Sequence, residues 1–267
     1  MPVIPPVPYT TIRSQLKTGD LLAFEGSQPL DFMINLLEEG VYSHVGMVLC
    51  DESGDLWFWD APGGGNTFPD PYWKLAGQNP GCRVANLDAL LAYYVSDMKI
   101  QTFTWRQLTP SIPYAPGDTL DTFLAATDGT PFPGNNCTFP PLLLALLIKY
   151  LGSQNIEGLK LGIGLLLTYL TGAVLLVPIV GYTFCAQLVA MTYMSAGLLP
   201  TTPLPANGYT PAEFMDQPKP LQLLGGATLA APVTVLWDGP TTSVKGTASS
   251  FRTPATSILA ALVDDTN

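Results

Sequence analysis

Three observations predict an α+β fold for this chain. Strand-like runs come first and helix-like runs later, no strand–helix–strand repeat connects them, and one pair of strands carries a hairpin signature. Reading in order, residues 1–10 are proline-rich and predict an extended arm, and Ile12 to Leu16 suit a short helical turn. Lys17-Thr18-Gly19-Asp20 is a turn signal ahead of the apolar strand Leu21-Leu22-Ala23-Phe24. Asp31 can cap a helix that ends near Gly40. Tyr42 to Val48 and Leu56 to Asp60 are apolar runs joined by a polar turn, which is the hairpin. Ala61-Pro62-Gly63-Gly64-Gly65-Asn66 must be loop. Arg83 to Asn86 and Lys99 to Thr104 read as strands around a helix near Leu87–Tyr94, and Asp118 to Ala126 as a further helix. Later candidates are a helix from Leu142 to Tyr150, a strand at Val233–Trp237 and a terminal helix at Thr256–Val263.

Composition narrows the function. A net charge of −10 with 11 basic residues scattered singly argues against nucleic acid, which needs clustered cations to neutralise phosphates. The 267 residues allow a large core, and hydrophobic residues make up 47% of them against 12% charged. Partners of such a surface are apolar, neutral or cationic. The N-terminus lacks the basic start and long apolar core of a secretory signal, so the expectation is a cytoplasmic chain with reduced thiols. Asn136-Cys137-Thr138 fits a glycosylation acceptor, without other support for export. From Leu161 to Ala212 there is no Asp, Glu, Lys or Arg. Leu161 to Val180 is long enough to cross a bilayer, to form an interfacial apolar surface, or to fold as a buried helical hairpin. Association with a membrane surface therefore stays open.

The chain has a single histidine, so any mechanism with a histidine base has one candidate, His44. Cys50, Cys82, Cys137 and Cys185 show no CxxC spacing, and with one histidine they predict no metal site and no cofactor. Cys185 opens a helix-like run in which Cys185, Leu188, Val189, Thr192 and Ala196 share a face and Gly197 is the stop. A thiol in the first turn of a helix feels the positive end of the macrodipole, although a buried cysteine is more often a small hydrophobe. If a five-residue turn, Cys50 to Gly54, pairs Leu49 with Asp55, then His44 pairs with Asp60 on one face. The carboxylate can then fix the imidazole tautomer and leave the other ring nitrogen for a thiol.

Lys17-Thr18-Gly19-Asp20-Leu21-Leu22-Ala23-Phe24, Tyr42-Ser43-His44-Val45-Gly46-Met47-Val48 and Phe184-Cys185-Ala186-Gln187-Leu188-Val189 occur in that order. With Trp59-Asp60-Ala61 and Tyr209-Thr210-Pro211-Ala212-Glu213-Phe214, the set resembles the circularly permuted NlpC-type papain-like cysteine hydrolases. The YiiX-type amidases belong there, and lecithin retinol acyltransferase-like enzymes are relatives. The motifs cover roughly residues 12–62 and 180–215; Ala186-Gln187 stands where the family often has Ser-Glu.

The resemblance implies a permuted papain-like fold, an antiparallel sheet packed on the nucleophile helix with an apolar helical insertion. Its domain would span residues 12–219 with the insertion at 140–180, between an arm at 1–11 and an extension at 220–267. It implies Cys185 as nucleophile, His44 as general base and then acid, and Asp60 as orienter. Tyr182 and Tyr42 are candidates for oxyanion or site support, each with a packing role as the alternative. The implied activity is cleavage of an amide or ester through an acyl-enzyme, on a peptide-like amide or a lipid acyl group. The alternative is a non-catalytic, membrane-associated or apolar-ligand-binding module on the same fold.

Overall fold

The computed structural model describes residues 5–25, 41–62, 81–132, 183–202, 206–215 and 221–239. The predicted helices at Asp31–Gly40, Leu142–Tyr150 and Thr256–Val263, the stretch 161–180, Cys137 and Tyr182 lie outside these residues.

A mixed sheet organises the described residues, which form an α+β fold. Its strands are β1 (Val7–Pro8), β2 (Leu21–Phe24), β3 (His44–Cys50), β4 (Leu56–Asp60), β5 (Arg83–Asn86), β6 (Thr102–Arg106) and β9 (Val233–Leu236), in the order β1-β9-β6-β2-β3-β4-β5. All neighbours are antiparallel except β1 with β9. A separate two-stranded ladder joins β7 (Leu108–Thr109) to β8 (Thr228–Leu229). The helices are α1 (Tyr9–Ile12), α2 (Leu87–Ser96), α3 (Thr119–Thr127), α4 (Cys185–Ser195) and α5 (Pro211–Met215). None of them is long and apolar enough to cross a membrane.

Two expectations change here. The extended arm gives way to structure at Val7–Pro8 and a helical turn from Tyr9, because Tyr9 buries its ring against Phe103 and Trp237 and donates to Asp88 at 2.6 Å. The described part of the C-terminal extension, residues 221–239, is joined to the sheet, since β9 lies between β1 and β6 inside it. Predicted strand and helix starts moved by one to three residues: the strand after α2 begins at Thr102, and β3 begins at His44. Asn86 and Asp118 cap α2 and α3 by accepting from Ala89 and Asp121 backbone N–H groups.

The central strands bury both faces, and alternation sorts their side chains into two cores. Odd-numbered Leu21, Ala23, Val45, Met47, Leu49, Trp57 and Trp59 pack with Ala186, Leu188, Val189 and Tyr193 of α4. Even-numbered Leu22, Phe24, Val48, Leu56 and Phe58 pack with Tyr9 and Ile12 of α1 and Leu87, Leu90 and Leu91 of α2. Two polar bolts hold α4 down: Trp59 Nε1 donates to Thr192 Oγ1 at 3.1 Å, and the Tyr193 hydroxyl donates to the Gly19 carbonyl at 2.6 Å. Gly19 itself has φ +101, and a Cβ there would lie 2.5 Å from Leu108.

The other family-like segments have plain structural causes. Asp20 Oδ1 accepts from Leu108 N at 2.9 Å, and Oδ2 accepts from Trp105 Nε1 and Lys17 N, so one carboxylate ties β2 to β6 and β7. At the start of α5 the Glu213 carboxylate reaches back and accepts from both the Thr210 backbone N–H and its hydroxyl. At the other end of α5, buried Arg106 donates to the carbonyls of Phe214, Leu229 and Ala230.

Candidate active site

β3 opens at His44 and β4 closes at Asp60, which brings both residues to the same end of the sheet. The observed pairs, Met47 with Trp59 through Cys50 with Leu56, differ by two from the predicted register. The turn explains the shift. Asp51 Oδ1 accepts from the Ser53 and Asp55 N–H groups, so the five-residue loop runs from Asp51 to Asp55 rather than from Cys50 to Gly54. A slip of two keeps each side chain on its face. Gly46, not His44, then stands directly opposite Asp60, and His44 is the diagonal neighbour. A Cβ on Gly46 would lie 2.4 Å from the Phe58 ring, so only glycine fits beneath that ring.

The diagonal pair is joined: His44 Nε2 and Asp60 Oδ2 lie 3.0 Å apart. Asp60 is completely buried, and a buried carboxylate needs a charged partner. That partner is Arg83, directly across the next strand boundary in the Asp60–Arg83 pair. Its Nε donates to Oδ1 at 2.9 Å and its Nη2 to Oδ2 at 3.4 Å. Burial alone would push the Asp60 carboxyl up, but Arg83 and His44 outweigh it and hold the group below the usual carboxylate range. Sequence reasoning missed Arg83. The available signal was an arginine opening an apolar strand in a chain with few basic residues.

Cys185 arrives from the opposite layer. It is the first residue of α4 after the extended N-cap Phe184, whose side chain makes no capping hydrogen bond. Leu188 N to Phe184 O, at 2.9 Å, closes the first turn. A first-turn N–H has no acceptor within its own helix, so the Cys185 amide points out of the positive end of α4. Upstream, Thr183 N donates to Pro131 O at 3.0 Å and fixes the entry of the chain. Gly197, at φ +72, ends the helix as expected.

By register, His44 belongs to the face covered by α1 and α2; its ring lies 6.0 Å from that of Phe24. The Cys185 side chain nevertheless acts on it by hydrogen bonding and charge, both residues sitting at the first position of their elements. With Nε2 taken by Asp60, Nδ1 is the nitrogen left for sulfur. Burial works against an imidazolium here, yet the hydrogen bonds and charges of Asp60 and Cys185 prevail and raise the His44 pKa to about 10. The chain Arg83–Asp60–His44–Cys185 can therefore accept a thiol proton on His44 and keep the resulting cation next to a fixed carboxylate.

The remaining candidates fall elsewhere. β3 begins only at His44, so Tyr42 is not on the strand face, and its hydroxyl accepts from Thr104 Oγ1 at 3.2 Å. Tyr182 lies outside the described residues. Cys82 is buried, and burial pushes its thiol up to about 12, against a hydrogen bond with Thr183 that pulls the other way. Burial also raises half-buried Cys50, whose sulfur lies 3.8 Å from the Asp51 carbonyl. Cys50, Cys82 and Cys185 are all unbridged. Among the described residues no group of three or more His, Cys, Asp or Glu could hold a metal ion.

Fold and geometry thus define an α+β protein in which a buried arginine and carboxylate and a half-buried imidazole lead to a helix-start thiol. No protein-family model matches the sequence, and no curated protein matches it. Among solved structures the chain is similar to the metalloprotein yiiX from Escherichia coli O157:H7, at 12% identity and a TM-score of 0.39 over 85% of this chain and 99% of that one. This is a weak relationship of fold.

Proposed function

We propose that the chain is a cysteine-dependent hydrolase or acyltransferase of the permuted papain-like class. The observation that carries this reading is the His44 ring held between the Asp60 carboxylate and the Cys185 side chain. The ordered motifs around these three residues support it independently.

Cys185 transfers its proton to His44 Nδ1, and the sulfur attacks the carbonyl carbon of an amide or ester. Asp60 accepts from Nε2–H throughout, which holds the ring and stabilises the imidazolium. The tetrahedral oxyanion is met by the outward N–H of Cys185. His44 then returns the proton to the departing amine or alcohol, leaving an acyl-thioester on Cys185. Water or another acceptor, deprotonated by His44, attacks that thioester and regenerates the thiol. The charge-free stretch 161–212 favours a lipid acyl group over a peptide-like amide, because an acyl chain needs an apolar surface. The same stretch would bring the protein to a membrane surface.

The test is acyl-enzyme trapping with p-nitrophenyl esters of short and long fatty acids, the adduct being located by peptide mass spectrometry. The reading expects an adduct on Cys185 that accumulates faster with the long chain, vanishes in Cys185→Ala and is slowed in His44→Ala. Acylation confined to Cys50, or no adduct at all, would leave the non-catalytic binding module as the better account.

A further inference from the structure

Resting on the thiol reading above, we propose that Arg83 is a positioning residue that orients the Asp60 carboxylate and shares its charge, so that Oδ2 is presented to His44. The geometry is specific. Arg83 Nε engages Oδ1 at 2.9 Å, whereas the His44 contact falls on Oδ2 at 3.0 Å, so the two cations approach different oxygens of one carboxylate. The Nη2 contact to Oδ2, at 3.4 Å, is the longer arm of the fork and leaves that oxygen free to accept from His44. Side-chain exposures of 6% for Arg83 and 0% for Asp60 place the pair away from bulk solvent. Strand pairing fixes the donor, because Arg83 is the cross-strand partner of Asp60 in the β4–β5 ladder.

The charged and titratable groups that face the pair among the described residues are as follows. His44 faces Asp60 from β4, Cys185 from α4 and the neutral Phe24 ring from β2. Asp60 faces His44 from β3 and Arg83 from β5, with the Cys82 thiol near it. Removing the arginine would leave the Asp60 charge to His44 alone. The imidazolium then binds its proton more tightly, and the carboxylate loses the contact that sets its plane.

Because His44 is the only histidine, its ring can be followed by NMR without assignment ambiguity. In full-length protein carrying Cys185→Ala, which takes the thiol out of the titration, Arg83→Met is expected to move the His44 midpoint upward by about one pH unit or more. Arg83→Lys keeps the charge and should leave the midpoint near that of the Cys185→Ala parent. With Cys185 restored, the lysine variant loses the two-point hold and should be alkylated at Cys185 several-fold more slowly than wild type. A midpoint unmoved or lowered by Arg83→Met overturns the proposal. Should that variant fail to fold, a lysine variant labelled at the wild-type rate overturns it. Failure of the thiol reading looks different, because His44→Ala would then leave Cys185 labelling unchanged whatever the titration of His44.

Discussion

Asp60 and Asp20 are both completely buried carboxylates in the same sheet, and their environments drive them in opposite directions. Asp20 is met by neutral donors, the Trp105 indole and the backbone N–H groups of Lys17 and Leu108, and burial wins, so its pKa is raised. Asp60 is met by a guanidinium and an imidazole, and their charges win, so its pKa is lowered. Dipoles suffice to tie strands together. A carboxylate that must stay ionised beside a cation-forming base needs a full opposite charge. The comparison separates a structural knot from a site built for proton transfer, although both are equally buried.

The largest expected effect follows from that contrast. Asp60→Asn removes the buried charge that Arg83 and His44 share, so unfolding free energy should drop by about 3–5 kcal/mol in urea titrations. Asp20→Asn turns amide hydrogens toward one or two of its three donors, for a smaller loss of about 1–3 kcal/mol. Equal losses would mean that charge does not distinguish the two sites.

Acid titration tests the same contrast by sign. A lowered Asp60 pKa gives stability that is present above the ordinary carboxylate pKa of 3.8 and lost as pH falls below it. A raised Asp20 pKa works the other way: Asp20 costs stability once pH climbs past 3.8, and protonation on acidification relieves that cost. Asp20→Asn should therefore steepen the net loss of stability on the acid side, and Asp60→Asn should flatten it. On the alkaline side, His44 contributes stability fully below its ordinary pKa of 6.5 and loses it as pH rises through about 10. Thermal midpoints of wild type should fall across that window, and those of His44→Gln should fall less. The smallest effect belongs to the helix bolt: Trp59→Phe removes the indole donor to Thr192, for about 1 kcal/mol, with little change at the thiol.

Much of this arrangement was readable from the residues, and the parts that were not have physical reasons. The hairpin and the strand at Leu21–Phe24 follow from apolar runs bounded by turn signals. So does the shared face of His44 and Asp60, because any even slip preserves it. The register itself was off by two, since it depends on Asp51 accepting from two loop amides, a choice that local composition does not make. Arg83 escaped notice because cross-strand partners are set by topology and not by spacing along the chain. The strand at Val233–Leu236 was legible, but its place in the sheet was not, for the same reason: its partners, β1 and β6, lie more than a hundred residues away in sequence. That His44 and Cys185 come from opposite layers and meet only at the ends of their elements could not be read from any single motif.

The most direct test of the central claim, that His44 serves Cys185 as its base, is the rate of iodoacetamide alkylation at each cysteine of the full-length chain at neutral pH. The expected result is that Cys185 labels faster than Cys50 and Cys82, and that His44→Ala slows Cys185 by about 10²-fold or more while leaving Cys50 unchanged. Labelling of Cys185 no faster than that of Cys50, and indifferent to His44→Ala, would contradict the account.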